Sequence, residues 1–296
     1  MLKDYLLQSC YTQYENSCAG HCGQACDNRE FCKGTCDARD GCLDQVHWYP
    51  QKNGRSDYNC EHLLQKYVLT FTERYEEQII TAMQYINENR YDGYNILSLG
   101  CGGAPDLMAF ETIARDTGKI INYHGYDRNP KWKSIHDDIL CYSRGIESID
   151  VNLTRADIFD MFELGFVVPF SCNVIIIQYI LSHLYNTGQN QRIYELFDYL
   201  INDVLPTRNP RSPFLFIICD VDSMNKGRPT WFTLLDKLEQ NGYYGNAYAR
   251  SFYPNSDLGI ERWSHCKGSP CFGNINYHFI QNHNEYDGAQ LVIELE

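Results

Sequence analysis

Residues 94–106, with the sequence YNILSLGCGGAPD, place the strongest constraint on the fold of this chain. The apolar first half predicts a short buried strand, and Gly100, Gly102 and Gly103 predict a tight turn directly after it. Pro105 is pre-organised for the first turn of a helix, and Asp106 suits the positive end of a helix dipole. Because glycines let backbone N–H groups approach a ligand closely, this unit predicts a site for a nucleotide-like cofactor.

Strands and helices alternate after this turn. Strands are predicted in the apolar runs 119–127, 149–153, 173–179 and 214–220, and the β-branched run 173–179 is typical of a strand buried on both faces. Helices are predicted between them, over residues 105–117, 132–145, 189–205 and 230–242. Period-two patterns at 275–280 and 290–295 predict a closing antiparallel pair. This alternation predicts an α/β fold with a doubly wound, mainly parallel sheet.

The cysteines divide the chain, because eight of the fourteen lie within the first sixty residues. We therefore predict a cysteine-rich segment at 1–60, a helical connection at 61–92 and an α/β domain at 93–296. The connection carries apolar residues at spacings of three and four, which we interpret as helix packing on one end of the sheet. The α/β domain is long enough for one core of its own.

The cysteine-rich segment contains few large aliphatic side chains, so a metal or covalent bonds are expected to hold it. Cysteines four residues apart share one face of a helix. Zinc held by thiolates is the favoured interpretation, an iron–sulfur cluster is the second, and disulfides are the third. The absence of a secretory signal pattern at the start counts against disulfides. The predicted metal ligands are Cys10, Cys18, Cys22, Cys26, Cys32, Cys36, Cys42 and Cys60.

Charge and hydropathy limit the kinds of partner and the cellular location that we expect for this protein. The net charge of −13 disfavours a broad electrostatic grip on duplex DNA. No apolar run is long enough to cross a membrane, and with no signal pattern the expected location is the cytoplasm. The expected partner is a macromolecular substrate, either protein or RNA, or else a small molecule. Binding to a membrane is not expected.

Four features in order resemble the class I S-adenosylmethionine-dependent methyltransferases. They are the glycine turn at 99–103, the strand-end acid Asp127, the segment 156–159 and the apolar run into Gln178 and Tyr179. Asp127 lies about twenty-five residues beyond the turn, near the spacing at which α/β nucleotide folds place a ribose-binding acid. The resemblance covers residues 93–296 and implies a Rossmann-like sheet of seven strands with the last pair antiparallel.

The resemblance implies a role for each matching residue. Asp127 would bind the ribose hydroxyls, Asp157 the adenine amino group, and Ile158 would pack on the adenine ring. The acid that the family often carries just before the glycines is replaced here by Ser98 or Leu99, so Asp106 is predicted to substitute for it from the helix side. The full implied cofactor site is Gly100, Cys101, Gly102, Asp106, Asp127, Asp157, Ile158 and Gln178.

Two residues are candidates for the chemistry itself. His183 follows the fourth strand of the α/β domain and can titrate near neutrality, so it is the candidate base, with packing of the next helix as the alternative. Tyr179 is the candidate for orienting a substrate, or it fills the core. The resulting hypothesis is methyl transfer to an unidentified acceptor, with the cysteine-rich segment as a recognition or capping element. The alternative is an inactive methyltransferase fold that acts as a binding module through a metal-held N-terminal segment.

Overall fold

The computed structural model describes residues 1–25, 58, 60–163, 171–223, 227–252, 276–279 and 288–296. Within residues 15–25, 161–163 and 276–279 it describes the backbone alone. The account below concerns these residues.

One twisted sheet of eight strands organises the described residues, in the order β3-β2-β1-β4-β5-β8-β6-β7. Neighbours among β1 to β5 pair in parallel, and β8 pairs antiparallel with both β5 and β6. The predicted doubly wound, mainly parallel α/β sheet is therefore confirmed. The strands are β1 Gly93–Leu99, β2 Ile120–Tyr126, β3 Ile149–Thr154, β4 Val174–Gln178, β5 Phe214–Val221, β6 Gly245–Ser251, β7 Asn276–Phe279 and β8 Gly288–Leu295.

The antiparallel edge of the sheet corrects two predictions. The described residues form eight strands rather than seven, and the run at 275–280 does not pair with the run at 290–295. The antiparallel partners of β8 are β5 and β6, whereas β7 pairs in parallel with β6. The sequence of β6, GNAYARS, was not recognised because its glycine, asparagine, alanine and arginine lack the β-branched and aromatic side chains typical of strands.

Helices cover both faces of the sheet, and the third of them, Pro105–Thr117, has the predicted bounds. It ends at Gly118, which adopts φ +69° and donates its N–H to the carbonyl of Ala114. The last long connection before β5 continues from a regular helix into a π-helical turn, Leu200–Val204. The helices are α1 Leu2–Ala25, α2 Glu61–Met83, α3 Pro105–Thr117, α4 Lys133–Ser143, α5 Ile158–Glu163, α6 Ile180–Asn186, α7 Asn190–Tyr199 and α8 Thr230–Gln240.

The β-branched run of β4 is buried on both faces, as predicted. Ile175 and Ile177 join a core cluster with residues of α7 and α8, while Val174 and Ile176 join a second cluster with residues of α1, α2, α3 and α4. The two clusters are the two interior layers of a three-layer fold, so β4 lies at the centre of the domain and its carboxyl end is held firmly in place.

The first half of α1 packs on the α/β domain. Leu2, Leu6 and Cys10 belong to the same core cluster as residues of α2 and α3. The backbone N–H of Leu2 donates to Glu111 Oε2 of α3 at 2.7 Å. The start of the predicted cysteine-rich segment is thus part of the core of the larger domain, while the division of the chain at residue 60 stays a prediction.

The predicted metal ligands fall into three groups. Cys10 is fully buried, and burial raises the pKa of its thiol to about 12, which opposes the thiolate that a metal ligand requires. Cys60 is half-buried directly before α2, and Cys18 and Cys22 lie one turn apart on the backbone of α1. The other predicted ligands, Cys26, Cys32, Cys36 and Cys42, lie outside the described residues.

Within the ranges given above, no three His, Cys, Asp or Glu side chains are grouped so that they could hold a metal ion. The zinc, iron–sulfur and disulfide interpretations therefore stay predictions. None of the described helices is long and apolar enough to cross a membrane.

Candidate functional site

The glycine turn lies between β1 and α3 and is held by the neighbouring strand. The N–H groups of Gly100 and Cys101 both donate to the carbonyl of Tyr126, at 2.7 and 3.0 Å. Gly100 adopts φ +66°, and a Cβ atom there would lie 2.1 Å from Cδ1 of Ile180. Glycine suits this position, because the positive φ disfavours other residues and a Cβ atom would force the Ile180 side chain to move.

Asp127, directly after β2, is tied to the same turn. Its Oδ2 accepts from the backbone N–H of Gly102 at 3.1 Å, and its Oδ1 accepts from the N–H of Asn129 at 2.8 Å. Burial raises the pKa of the Asp127 carboxyl, and these two backbone donors oppose that shift. The structure thus brings the predicted turn and the predicted acid into direct contact.

A cavity of about 430 Å³ lies at the carboxyl ends of β1 to β4. This is the edge at which open α/β sheets bind their ligands. Every residue predicted for the cofactor site or for catalysis lines it, although the role of each toward a ligand stays a prediction. These lining residues are Gly100, Cys101, Gly102, Asp106, Asp127, Asp157, Ile158, Gln178, Tyr179 and His183.

Asp106 lies under the turn, in the first turn of α3, and is fully buried. Its Oδ1 accepts from the hydroxyl of Tyr123 at 3.0 Å, and its Oδ2 has no hydrogen-bond partner among the described residues. Burial raises the pKa of this carboxyl to about 6, although the Ser98 and Tyr123 hydroxyls oppose the shift. A buried, unpaired carboxylate oxygen beside a cavity fits a ligand that carries a hydrogen-bond donor, such as an ammonium group.

The far end of the cavity, beyond β3, carries Asp157. Its Oδ1 accepts from the N–H of Phe159 at the start of α5, at 3.0 Å, and its Oδ2 pairs with Nη1 of the exposed Arg128 at 3.3 Å. Ile158 is buried next to it. This end therefore offers a carboxylate and an apolar surface side by side, as the resemblance implies for an adenine site.

The opposite end of the cavity is formed by the carboxyl end of β4. Tyr179 follows β4 with φ +58°, a left-handed conformation that is rare outside glycine and that often marks a functional position. Its N–H donates to the carbonyl of Cys219 at 2.7 Å. The ring of Tyr75, on α2, stacks on the Tyr179 ring with 4.4 Å between their centroids.

Sequence reasoning missed the aromatic wall of the cavity. Tyr58, Tyr67, Tyr75 and Trp132 all line it, whereas the sequence of α2 was interpreted only as helix packing on the sheet, Tyr67 included. The signal was present, since Tyr67, Phe71 and Tyr75 recur every four residues and form one aromatic stripe on α2. In the structure, the Tyr67 and Phe71 rings lie 4.9 Å apart, and the Phe71 and Tyr75 rings lie 5.5 Å apart.

His183, on α6, lines the cavity near Tyr179. Burial, followed by the positive charge of Arg128, lowers the pKa of its imidazole below the usual 6.5. The imidazole is therefore neutral at pH 7, the state that a general base requires. This placement fits the predicted base, whereas the alternative, a purely packing histidine, does not need access to a cavity.

The sequence matches no protein-family model and none of the curated proteins. Solved structures resemble it in fold. A putative class I S-adenosylmethionine-dependent methyltransferase from Listeria monocytogenes has a TM-score of 0.48 at 9% identity, covering 99% of this chain and 88% of its own. The plantazolicin methyltransferase BpumL in complex with SAH has a TM-score of 0.47 at 14% identity, covering 88% and 97%. A SAM-dependent methyltransferase from Archaeoglobus fulgidus has a TM-score of 0.41 at 13% identity, covering 77% and 99%.

Proposed function

We propose that this protein is an S-adenosylmethionine-dependent methyltransferase that acts on an acceptor still to be identified. The observation that carries the proposal is the continuous cavity over the ends of β3, β2, β1 and β4, in which the Asp127 carboxylate is hydrogen-bonded to the glycine turn. A tight glycine turn and a strand-end acid in one cleft are what an adenosyl ligand requires of an α/β sheet.

The order of the strands sets the direction in which the cofactor would lie. Asp157 and Ile158 at β3 would hold the adenine, and Asp127 at β2 would hold the ribose. The glycine turn at β1 would take the methionine portion. The sulfonium would then lie toward β4, beside Gln178 and Tyr179.

Asp106 would take the place of the acid missing before the glycines. Asp106 lines the cavity, and a cationic ammonium would satisfy its unpaired Oδ2. When bound, S-adenosylmethionine supplies an activated methyl group. The chain supplies alignment of the acceptor through Tyr179 and removal of the acceptor's proton by the neutral His183.

Calorimetry with S-adenosylmethionine tests the cofactor site. We expect the native protein to bind it and Asp127→Ala to weaken binding more than about tenfold, because the ribose contact and the brace of the turn are lost together. Asp150→Ala is the matched control, since Asp150 is an exposed aspartate on β3 that lies away from the cavity. Absence of binding by the native protein would refute the proposed cofactor.

Incubation of the protein with methyl-labelled cofactor and cell extract separates an enzyme from a binding module. Transfer of label to a protein, RNA or small-molecule fraction identifies the acceptor class. Binding without any transfer would instead support the inactive module.

We also propose that the cysteine-rich segment at 1–60 caps or recognises the acceptor. The support is that Tyr58, close to its end, lines the cavity, and that its carbonyl accepts from Asn129 Nδ2 at 3.0 Å. Residue 58, within the proposed segment, therefore lies against the candidate site. Zinc remains the proposed metal of this segment, and metal analysis of the purified chain tests it.

A further inference from the structure

A partly buried network of amide hydrogen bonds connects α2 to the carboxyl end of β4. It begins at the backbone carbonyl of Tyr75, which accepts from Gln178 Nε2 at 3.2 Å. The same nitrogen lies 3.4 Å from Gln78 Oε1, and Gln78 Nε2 donates to the hydroxyl oxygen of Tyr179 at 2.7 Å. Gln78 is fully buried, whereas Gln178 and Tyr179 are half-buried beside the cavity.

The orientation of the two glutamine amides in this hydrogen-bond network follows from the donors and acceptors that they meet. A backbone carbonyl can only accept a hydrogen bond, so the Gln178 amide must turn its nitrogen toward Tyr75. Gln78 must then turn its oxygen toward that nitrogen and its own nitrogen toward Tyr179. Because the nitrogen of Gln178 is held against α2, its oxygen is the amide atom left to face the cavity that Gln178 lines.

The charges around the cavity agree with this polarity. The acidic side chains that line it, among the described residues, are Asp106, Asp127 and Asp157, and the one arginine or lysine is Arg128. Arg128 pairs with Asp157 near β3, and its positive charge also reaches His183. The β4 end of the described cavity thus presents the Gln178 amide beside the Tyr75 and Tyr179 rings, and an amide oxygen there suits a hydrogen-bond donor.

We propose that Gln78 is a positioning residue which fixes Gln178 and Tyr179, so that the methyl acceptor carries an N–H or O–H donor at its reacting atom. The inference rests on the proposed function. It assigns the acceptor to the amines and hydroxyl compounds and excludes phosphate and carboxylate oxygens as the methylated atom. The donor hydrogen is then held by Gln178 Oε1 until His183 receives it.

The experiment uses two cofactor analogues and needs no knowledge of the acceptor. One is S-adenosylhomocysteine, which lacks the methyl group. The other is sinefungin, in which a carbon bearing a primary amine replaces the methylated sulfur, so that N–H donors stand where the methyl group would be, toward the β4 end. We expect native protein to prefer sinefungin, and Gln78→Leu to lower that preference about tenfold, because the Gln178 oxygen is no longer fixed.

Three further variants control this result. Gln78→Glu keeps an acceptor for Gln178 and can accept from the Tyr179 hydroxyl, so it should retain the preference. Gln84→Leu makes the same substitution at an exposed position just after α2 and should have no effect. Gln78→Met keeps the length of the side chain and replaces Gln78→Leu if that variant does not fold.

Binding of S-adenosylhomocysteine should change less than that of sinefungin in every variant, because it has no amine at the place of the methyl group to meet Gln178 Oε1. Suppose that both analogues bind, with the ratio of their two dissociation constants the same in Gln78→Leu as in the native protein. That result would refute the role of Gln78 and leave the proposed cofactor site intact. If neither analogue binds native protein, the proposed function and this inference both fall.

Discussion

Replacing Asp106 by asparagine should make the ligand-free protein more stable and its cofactor binding weaker. The carboxyl is fully buried and burial raises its pKa from 3.8 to about 6. Asparagine has the same shape and keeps an oxygen that can accept from Tyr123. The substitution therefore removes a buried charge with little change in packing.

The magnitude follows from the pKa shift. A raised pKa in the folded state means that ionisation of Asp106 opposes folding. Its cost is absent below pH 3.8, grows as the pH rises toward 6, and is complete above it. A shift of about two pH units corresponds to ~3 kcal/mol at pH 7. Asp106→Asn should raise the free energy of unfolding at pH 7 by up to this amount, and by almost nothing at pH 4.

The ligand reverses the sign of this effect. An ionised Asp106 that meets a ligand ammonium gains a charge-assisted hydrogen bond of about 1.5–3 kcal/mol, so Asp106→Asn should weaken S-adenosylmethionine binding about tenfold or more. Binding by the native protein should also weaken as the pH falls below about 6, because the carboxyl is then neutral. Cofactor binding by the Asp106→Asn variant should not weaken over this pH range.

Urea unfolding at several pH values, with calorimetry on the same samples, measures both effects. Asp220 has a similarly raised pKa, but it is present in both proteins, so the difference between them isolates Asp106. A variant that is less stable than native protein at pH 7 would refute the account of Asp106. So would a variant that binds S-adenosylmethionine equally well.

Two further predictions concern the turn and the base. Gly100→Ala should destabilise the fold by ~1–3 kcal/mol more than Gly118→Ala in thermal unfolding. Both glycines have a positive φ, but only the first lacks space for a Cβ atom, so equal losses would contradict the packing argument. His183→Gln should leave S-adenosylmethionine affinity within about twofold and remove the fall in methyl transfer at acidic pH, as measured with labelled cofactor. An unchanged pH profile would show that His183 is not the base.

Local patterns were enough to predict the parts of the site that come from single strand ends. Gly100 and Asp127 each follow an apolar strand, and parallel strands bring their carboxyl ends to one edge. The contact between the glycine turn and Asp127, made through Gly102, could therefore be predicted from the sequence. The unpaired oxygen of Asp106 was not, because it depends on how Tyr123 of β2 packs under the turn.

The contribution of α2 could not be predicted because it depends on contacts far apart in sequence. An aromatic stripe at helical spacing most often means core packing, and here part of it stacks on the end of β4, more than one hundred residues away. For the same reason, β6 was missed. Its weak strand propensity is overridden by pairing with both β8 and β7.

The antiparallel edge of the sheet acts on the candidate site through α2. Arg250 of β6 donates to the carbonyl of Thr81 at 3.1 Å, and Gln290 of β8 donates to the carbonyl of Gln78 at 2.8 Å. These two residues are paired across the strands, so one point of the sheet holds the last turns of α2. Burial lowers the pKa of Arg250 only to about 10, so its charge persists at neutral pH and complements the negative end of the helix dipole.

This anchoring explains why a helix outside the α/β repeat can carry a precise contact such as that of Gln78 with Tyr179. A helix held only by apolar packing can slide by a fraction of an ångström, whereas hydrogen bonds from the sheet to the helix carbonyls fix both its depth and its rotation. The closing strands therefore complete the sheet and also set the position of the aromatic wall. Changes in β6 or β8 that leave the fold intact should consequently alter the β4 end of the cavity more than the end beside β3.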